Sequence, residues 1–234
     1  IEETYAKGQR SGTYRGCKAY TDYRELLAKE DIDAVMIATP DHPHAVIAMA
    51  ALKRRKHLYC EKPLAYTAHE VRQLTEEARR AGVATQLGNQ GQATVEARLT
   101  CEMIWSGAIG AVREVHVPIN ARFWAPPLFD GRPPAGILVP DGLDWDLWLG
   151  PAPARPYHPA YCPWNWRNWW DYRLVPEAAM KVFGRPREML PRSPGHYKEF
   201  VDACRGGPAH GANLVDHAGL LSEVCVLGNV ALRS

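Results

Sequence analysis

Between residue 19 and about residue 105, short apolar runs alternate with amphipathic stretches, a pattern that predicts βαβ units feeding a parallel sheet. Asp22 with Glu25 reads as a capping box opening a short helix. Ala34-Val35-Met36-Ile37-Ala38 reads as a strand buried on both faces, stopped by Thr39-Pro40. Ala45, Met49 and Leu52 recur at helical spacing, and the basic Lys53-Arg54-Arg55-Lys56 closes that helix as a solvated end where cations suit its dipole. His57 to Cys60 form the next strand. Thr67 and Glu70 make a second capping box, Val71, Leu74 and Ala78 share one face, Gly82 stops the helix, and Val83 to Leu87 form a further strand.

The pattern then changes. A helix over residues 95–106 precedes Gly107 and Gly110, and Val112 to Arg122 alternate apolar and polar positions, as a half-buried antiparallel strand does. Residues 124–170 are rich in Pro, Gly and Trp with little periodicity, which suits a functional covering segment. Ser193 and Pro194 read as the cap and first residue of a helix whose Tyr197, Val201 and Cys204 share a face and which Gly206-Gly207 closes. Asp216 opens a last helix.

Composition narrows the function. The 46% hydrophobic share of 234 residues supports a buried core, so the chain is read as globular. The formal charge of +2 arises from 28 basic and 26 acidic residues mixed along the chain, so no stripe of one sign points to nucleic acid or an anionic membrane. A small neutral ligand suits it better. The six cysteines form neither a CxxC pair nor a Cys/His cluster, and the histidines have no metal spacing, so we expect buried thiols and no metal site.

Two loops carry the candidate chemistry. Ala38-Thr39-Pro40-Asp41-His42-Pro43-His44 lies where a strand's carboxyl end meets a helix, the position at which open α/β sheets bind ligands. Glu61-Lys62-Pro63 follows the next strand in the same way, so both loops belong on one edge of the sheet. An isolated Glu-Lys-Pro is usually a surface lysine beside a glutamate. Its place after a buried strand makes Lys62 the leading catalytic candidate. His44 is either a helix-start histidine bonded to backbone or a group beside a ligand. Asn89 and Gln90 are a polar loop or amides facing a pocket, and the cluster Trp164, Trp166, Trp169 and Trp170 is core for about half its members, with free Trp faces suiting sugar CH groups.

In combination these residues resemble the Gfo/Idh/MocA family of NAD(P)-dependent oxidoreductases, through Thr39-Pro40 with His44, Glu61-Lys62-Pro63, Thr85 to Gln90, Gly107-Ala108-Ile109-Gly110 and Trp166-Arg167-Asn168-Trp169-Trp170-Asp171, resuming at Pro191-Arg192-Ser193. The resemblance implies an α/β fold with an incomplete Rossmann-type parallel sheet over residues 1–108. An α+β domain with a mostly antiparallel sheet then spans 109–234, interrupted near 172–190, and bears the substrate site and a homo-oligomer interface. It implies hydride exchange between nicotinamide and a hydroxyl carbon of a sugar, sugar derivative or inositol, with Lys62 as proton acceptor or electrostatic partner. NAD or NADP would meet Ala38, Thr39, Pro40, His44, Glu61, Lys62, Pro63, Asn89, Trp166 and Arg167, and the substrate would meet Lys62, Asn89, Gln90, Arg122 and Trp124.

The family's glycine-rich first βαβ unit, and the glycine-rich turn with Asp and His after Tyr172, have no counterpart in this sequence. We expect a piece of a longer chain, because losing a central strand and most of a covering sheet would expose apolar faces and unpaired edges. The cytoplasm is the expected location, with periplasmic export open. A glycosidase that oxidises its sugar transiently and a noncatalytic sugar-binding homologue are the competing readings.

Overall fold

The computed structural model describes residues 10, 18–29, 31–116, 133–169, 194–208, 212–219 and 222. Residues Ile1–Asp31 form one unit and Ile32–Ser234 another. In the first, helix α1 (Tyr23–Lys29) begins where the Asp22 carboxylate accepts the Arg24 N–H at 2.8 Å. The Glu25 N–H donates to the Asp22 backbone carbonyl and its carboxylate receives Lys29 at 2.9 Å one turn on, so Asp22 caps through Arg24 and not through the reciprocal box expected here.

In the second unit three parallel strands, β1 (Ala34–Ile37), β2 (His57–Glu61) and β3 (Thr85–Gly88), lie side by side in that order. Ile37 pairs with Cys60 and Glu61 with Gly88, so the strands reach a common carboxyl edge. Helices α2 (His44–Lys53) and α3 (Ala68–Ala81) make the crossovers and pack on each other. Ala48, Ala51 and Leu52 from α2, Leu58 and Cys60 from β2, and Val71, Leu74 and Ala78 from α3 form the buried core. Each large aliphatic side chain there contributes about 1.5–3 kcal/mol by leaving water.

The boundaries of α3 follow from its sequence. The Thr67 hydroxyl accepts the Glu70 N–H (3.2 Å) while the Glu70 carboxylate accepts the Thr67 N–H (2.8 Å), and Gly82 closes the helix at φ 66°. Strand β1 departs from expectation. It forms the edge of the described sheet, with Met36 59% exposed, and the doubly buried strand is the central β2, whose Leu58, Tyr59 and Cys60 are fully enclosed.

Helix α4 (Val95–Trp105) starts at Thr94, whose hydroxyl accepts the Ala97 N–H. Beyond it, Val112–His116 are exposed and belong to no strand among the described residues, and the rest of the expected strand, through Arg122, lies outside them. The covering segment has its own order. Asp144 caps helix α5 (Trp145–Leu149), and Trp145, Leu149, Tyr157, Tyr161 and Trp166 form a second core in which Trp145 stacks on Trp148 at 4.8 Å. Trp166 is buried and Trp169 packs partly against this core, Trp164 is exposed, and Trp170 lies outside the described residues.

Helix α6 (His196–Cys204) returns to the parallel sheet. It opens after Gly195 at φ 117°, with Pro194 ahead of it, while the Ser193 cap expected from the sequence lies outside the described residues. Its buried face is His196 and Phe200, whereas Tyr197 and Val201 of the expected face are 51% and 42% exposed. The sheet fixes that rotation: the Gln86 amide donates to the His196 carbonyl (2.8 Å), and His196 Nε2 donates to the Leu87 carbonyl (3.0 Å). Leu87 N–H then donates to the Ala212 carbonyl and Leu214 N–H to the Thr85 hydroxyl. The next turn, Leu214–Ala218, is capped by Asn213 rather than Asp216, through bonds from the Val215 and Asp216 N–H groups.

Candidate active site

The loop after β1 and the loop after β2 meet at the carboxyl edge, and His44 joins them. It is 1% exposed at the start of α2, with Nδ1 2.6 Å from the Pro63 carbonyl oxygen and Nε2 3.1 Å from the Thr39 carbonyl oxygen. Of the two sequence readings, backbone bonding holds, and the ring faces the two motif loops. Ala38, Thr39 and Lys62 stand exposed around it, with Pro40 and Pro63 half-buried.

Glu61 and Lys62 are adjacent in sequence and differ in exposure, Glu61 half-buried and Lys62 exposed. Glu61 lies against β3, where Gln90 donates to its carboxylate at 2.9 Å and to the Tyr59 hydroxyl at 3.0 Å, and Tyr59 approaches the same carboxylate at 3.4 Å. Tyr197 from α6 completes the group. Burial, the bond to Tyr197 and the charge of Glu61 push the Tyr59 hydroxyl well above the usual phenol range, so it stays protonated as a donor. Gln90, expected from the sequence to contact substrate, bridges this network. Tyr59, Tyr197 and His196 carry no short motif, and only the folded sheet brings them beside Glu61.

The covering segment docks on the first loop. His42 donates from Nε2 to the Trp148 carbonyl at 2.7 Å and packs on the Trp148 ring. The Arg167 guanidinium lies between the Trp164 ring (3.8 Å) and the Trp166 ring (4.1 Å); burial lowers its pKa and the charge of Asp41 opposes that shift. Arg167 thus packs against two tryptophan rings, of which Trp166 is buried and Trp164 exposed. Arg122 and Trp124 lie outside the described residues. Burial drives the Cys60 thiol far upward, which marks it as packing. No group of three metal-ligating side chains occurs among the described residues, nor any helix long and apolar enough to cross a membrane.

His196 gives this region a pH dependence. Burial lowers its pKa, opposed by its bond to Leu87 and by Glu199 and Glu61. A lowered folded-state value means that the unfolded chain takes the proton first as pH falls. The stability His196 contributes is therefore intact above about pH 6.5 and is lost as pH falls toward and through its folded value. Urea denaturation at pH 7.5 and pH 5.5 should show a lower midpoint in acid, and His196→Gln should flatten that difference.

Residues 2–89 match the Gfo/Idh/MocA model described as oxidoreductase family, NAD-binding Rossmann fold, and residues 104–180 match its C-terminal alpha/beta domain. The chain belongs to the Gfo/Idh/MocA family. Among curated members it is 32% identical over 123 residues to 1,5-anhydro-D-fructose reductase of Ensifer adhaerens, covering 51% of this chain and 36% of that protein. To myo-inositol 2-dehydrogenase of Thermotoga maritima it is 31% identical over 113 residues, covering 48% and 33%. The chain thus spans about a third of the length of each of these relatives. An Azotobacter vinelandii inositol dehydrogenase homolog, crystallised with NAD+, is 31% identical with a TM-score of 0.39, covering 45% of this chain and 28% of that one.

The carboxyl edge fits the family's nicotinamide cofactor at one atom. Asn89 follows β3, and its Oδ1 is shielded from solvent with no hydrogen-bond partner among the described residues, an acceptor that suits an amide donor. The amide's other end is held, since Nδ2 donates to Gln92 at 2.5 Å.

Proposed function

We propose that this Gfo/Idh/MocA chain is the core of an NAD(P)-dependent dehydrogenase that oxidises a hydroxyl carbon of a sugar, sugar derivative or inositol. The observation that carries the reading is the meeting of the Thr39-Pro40 and Glu61-Lys62-Pro63 loops on one sheet edge, tied through His44. The names of the curated relatives, a sugar reductase and an inositol dehydrogenase, support the substrate class.

A bound nicotinamide supplies the hydride acceptor. Lys62, exposed at this edge, takes the proton from the reacting hydroxyl, and Glu61 is held aside by Gln90 and Tyr59. Asn89 Oδ1 would accept from the carboxamide, and Ala38, Thr39 and Pro40 would line the cofactor's approach. We assign the dinucleotide half to residues 1–108 and the covering half to the residues from 109 onward, with His196, Ala212 and Leu214 bonded back to β3.

The test is reduction of NAD and of NADP by the full-length protein across a panel of inositols, aldoses and anhydro sugars. Absorbance at the reduced-nicotinamide band should rise with at least one of them. No cofactor binding and no reduction with any of them would remove the reading.

A further inference from the structure

We infer that His44 is a positioning residue that fixes the Lys62 loop against the loop after β1. The inference rests on Lys62 being the reacting lysine of the proposed dehydrogenase. Three observations carry it. The His44 side chain is 1% exposed, so its ring has no face for a ligand and its polar atoms act inside the protein. Its two nitrogens face two carbonyls that belong to different loops, Thr39 after β1 and Pro63 after β2. The second carbonyl is that of the residue next to Lys62, across the Lys62-Pro63 bond.

The consequence is mechanical. Pro63 has no N–H to anchor its own loop, so the carbonyl is the polar backbone atom by which this residue can be held. The shorter contact, at 2.6 Å, is made by Nδ1 to that carbonyl, and the longer, at 3.1 Å, by Nε2 to Thr39. His44 opens α2, which is seated in the core by Ala48, Ala51 and Leu52, so the ring passes the rigidity of that helix to both loops. A lysine on an exposed loop needs such a brace, because a misplacement of about 1 Å at a reacting group costs on the order of a hundredfold in rate.

Both carbonyls only accept, so the single N–H of a neutral ring bonds one of them, Pro63 at the shorter distance, while Nε2 lies against Thr39. The two contacts can be separated by substitution. An asparagine amide nitrogen occupies about the place of Nδ1, and a glutamine amide nitrogen about that of Nε2. His44→Asn should keep the Pro63 bond and retain kcat within about threefold, whereas His44→Gln, whose donor sits at the Nε2 position, should give up the Pro63 bond for one to Thr39 and lower kcat about tenfold with KM for the sugar nearly unchanged. Lys62 modification by an amine-reactive acylating reagent, followed by peptide mass spectrometry, gives a readout that needs no turnover. Its rate should change in the Gln variant and match wild type in the Asn variant. Equal kcat losses in the two variants, or Lys62 labelling unchanged in both, would overturn the inference.

If the variants do not fold, histidine-selective 15N NMR of the wild-type protein decides. A slowly exchanging His44 Nδ1–H supports the brace and a bare Nδ1 refutes it. Should the protein reduce no cofactor with any polyol, labelling and NMR still report on the brace, so its failure and that of the dehydrogenase reading are told apart.

Discussion

Lys62→Ala in the full-length protein should lower kcat/KM for the oxidisable polyol by about 10²–10⁴-fold, the range that a positioned proton-transfer group supplies. Nicotinamide cofactor affinity should stay within a few-fold. The two readouts separate because the groups sit on different strands: Asn89 follows β3 and the Thr39-Pro40 loop follows β1, while Lys62 stands exposed at the end of β2. Lys62→Arg is the informative companion. It keeps the charge and loses the ability to accept a proton near neutral pH, so activity retained by Arg and lost by Ala would make the lysine an electrostatic partner. Wild-type turnover in Lys62→Ala would take it out of the mechanism.

Gly88→Ala should both destabilise the fold and damage activity. Gly88 faces Glu61 across the β2–β3 ladder, and a Cβ there would overlap the Glu61 carboxylate and lie 2.9 Å from its Cα. Backbone cannot swing aside as a side-chain tip can, so the strands must part or Glu61 must leave Gln90 and Tyr59. Overpacking of this kind costs about 1–3 kcal/mol, read as a lower urea midpoint. Because Glu61 precedes Lys62, kcat should fall about tenfold as well. Gly82→Ala is the control: its φ of +66° makes alanine strained, yet nothing lies within 4 Å of the added carbon. It should cost about 1–2 kcal/mol with kcat unchanged. Equal kcat in the two variants would show that the fit of Glu61 against β3 does not matter to the chemistry.

Much of the first half of the chain was legible because its signals are local. Thr67, Glu70 and Gly82 set the ends of α3 through bonds within one turn, and the short apolar runs of β1 and β2 mark both as strands. The site was legible as a pair of loops after strands, since that placement follows from strand and helix order alone. What the two loops do to each other was not. His44 and Gln90 have several possible partners in sequence, and only packing decides that one faces Thr39 and Pro63 while the other bridges Tyr59, Glu61 and Tyr197. The apolar spacing of α6 points to a face one position away from the buried one for the same reason. Tyr197, Val201 and Cys204 have the apolar spacing, but the exchange of bonds between Gln86 and His196 turns His196 and Phe200 inward. Exposure of Met36 on β1 likewise depends on which strand is central, a property of the sheet and not of the run.

The return of α6 to β3 also sets an order of events during synthesis. Gln86 finds His196 across 110 positions, and Thr85 finds Leu214 across 129. While β3 leaves the ribosome these partners do not yet exist, so Gln86 and Thr85 wait in a half-finished sheet whose flank is open to other chains. Contacts this distant along the chain close slowly. The nascent protein therefore passes through a window in which chaperones have most to protect, and that window ends only once both α6 and Leu214 have arrived.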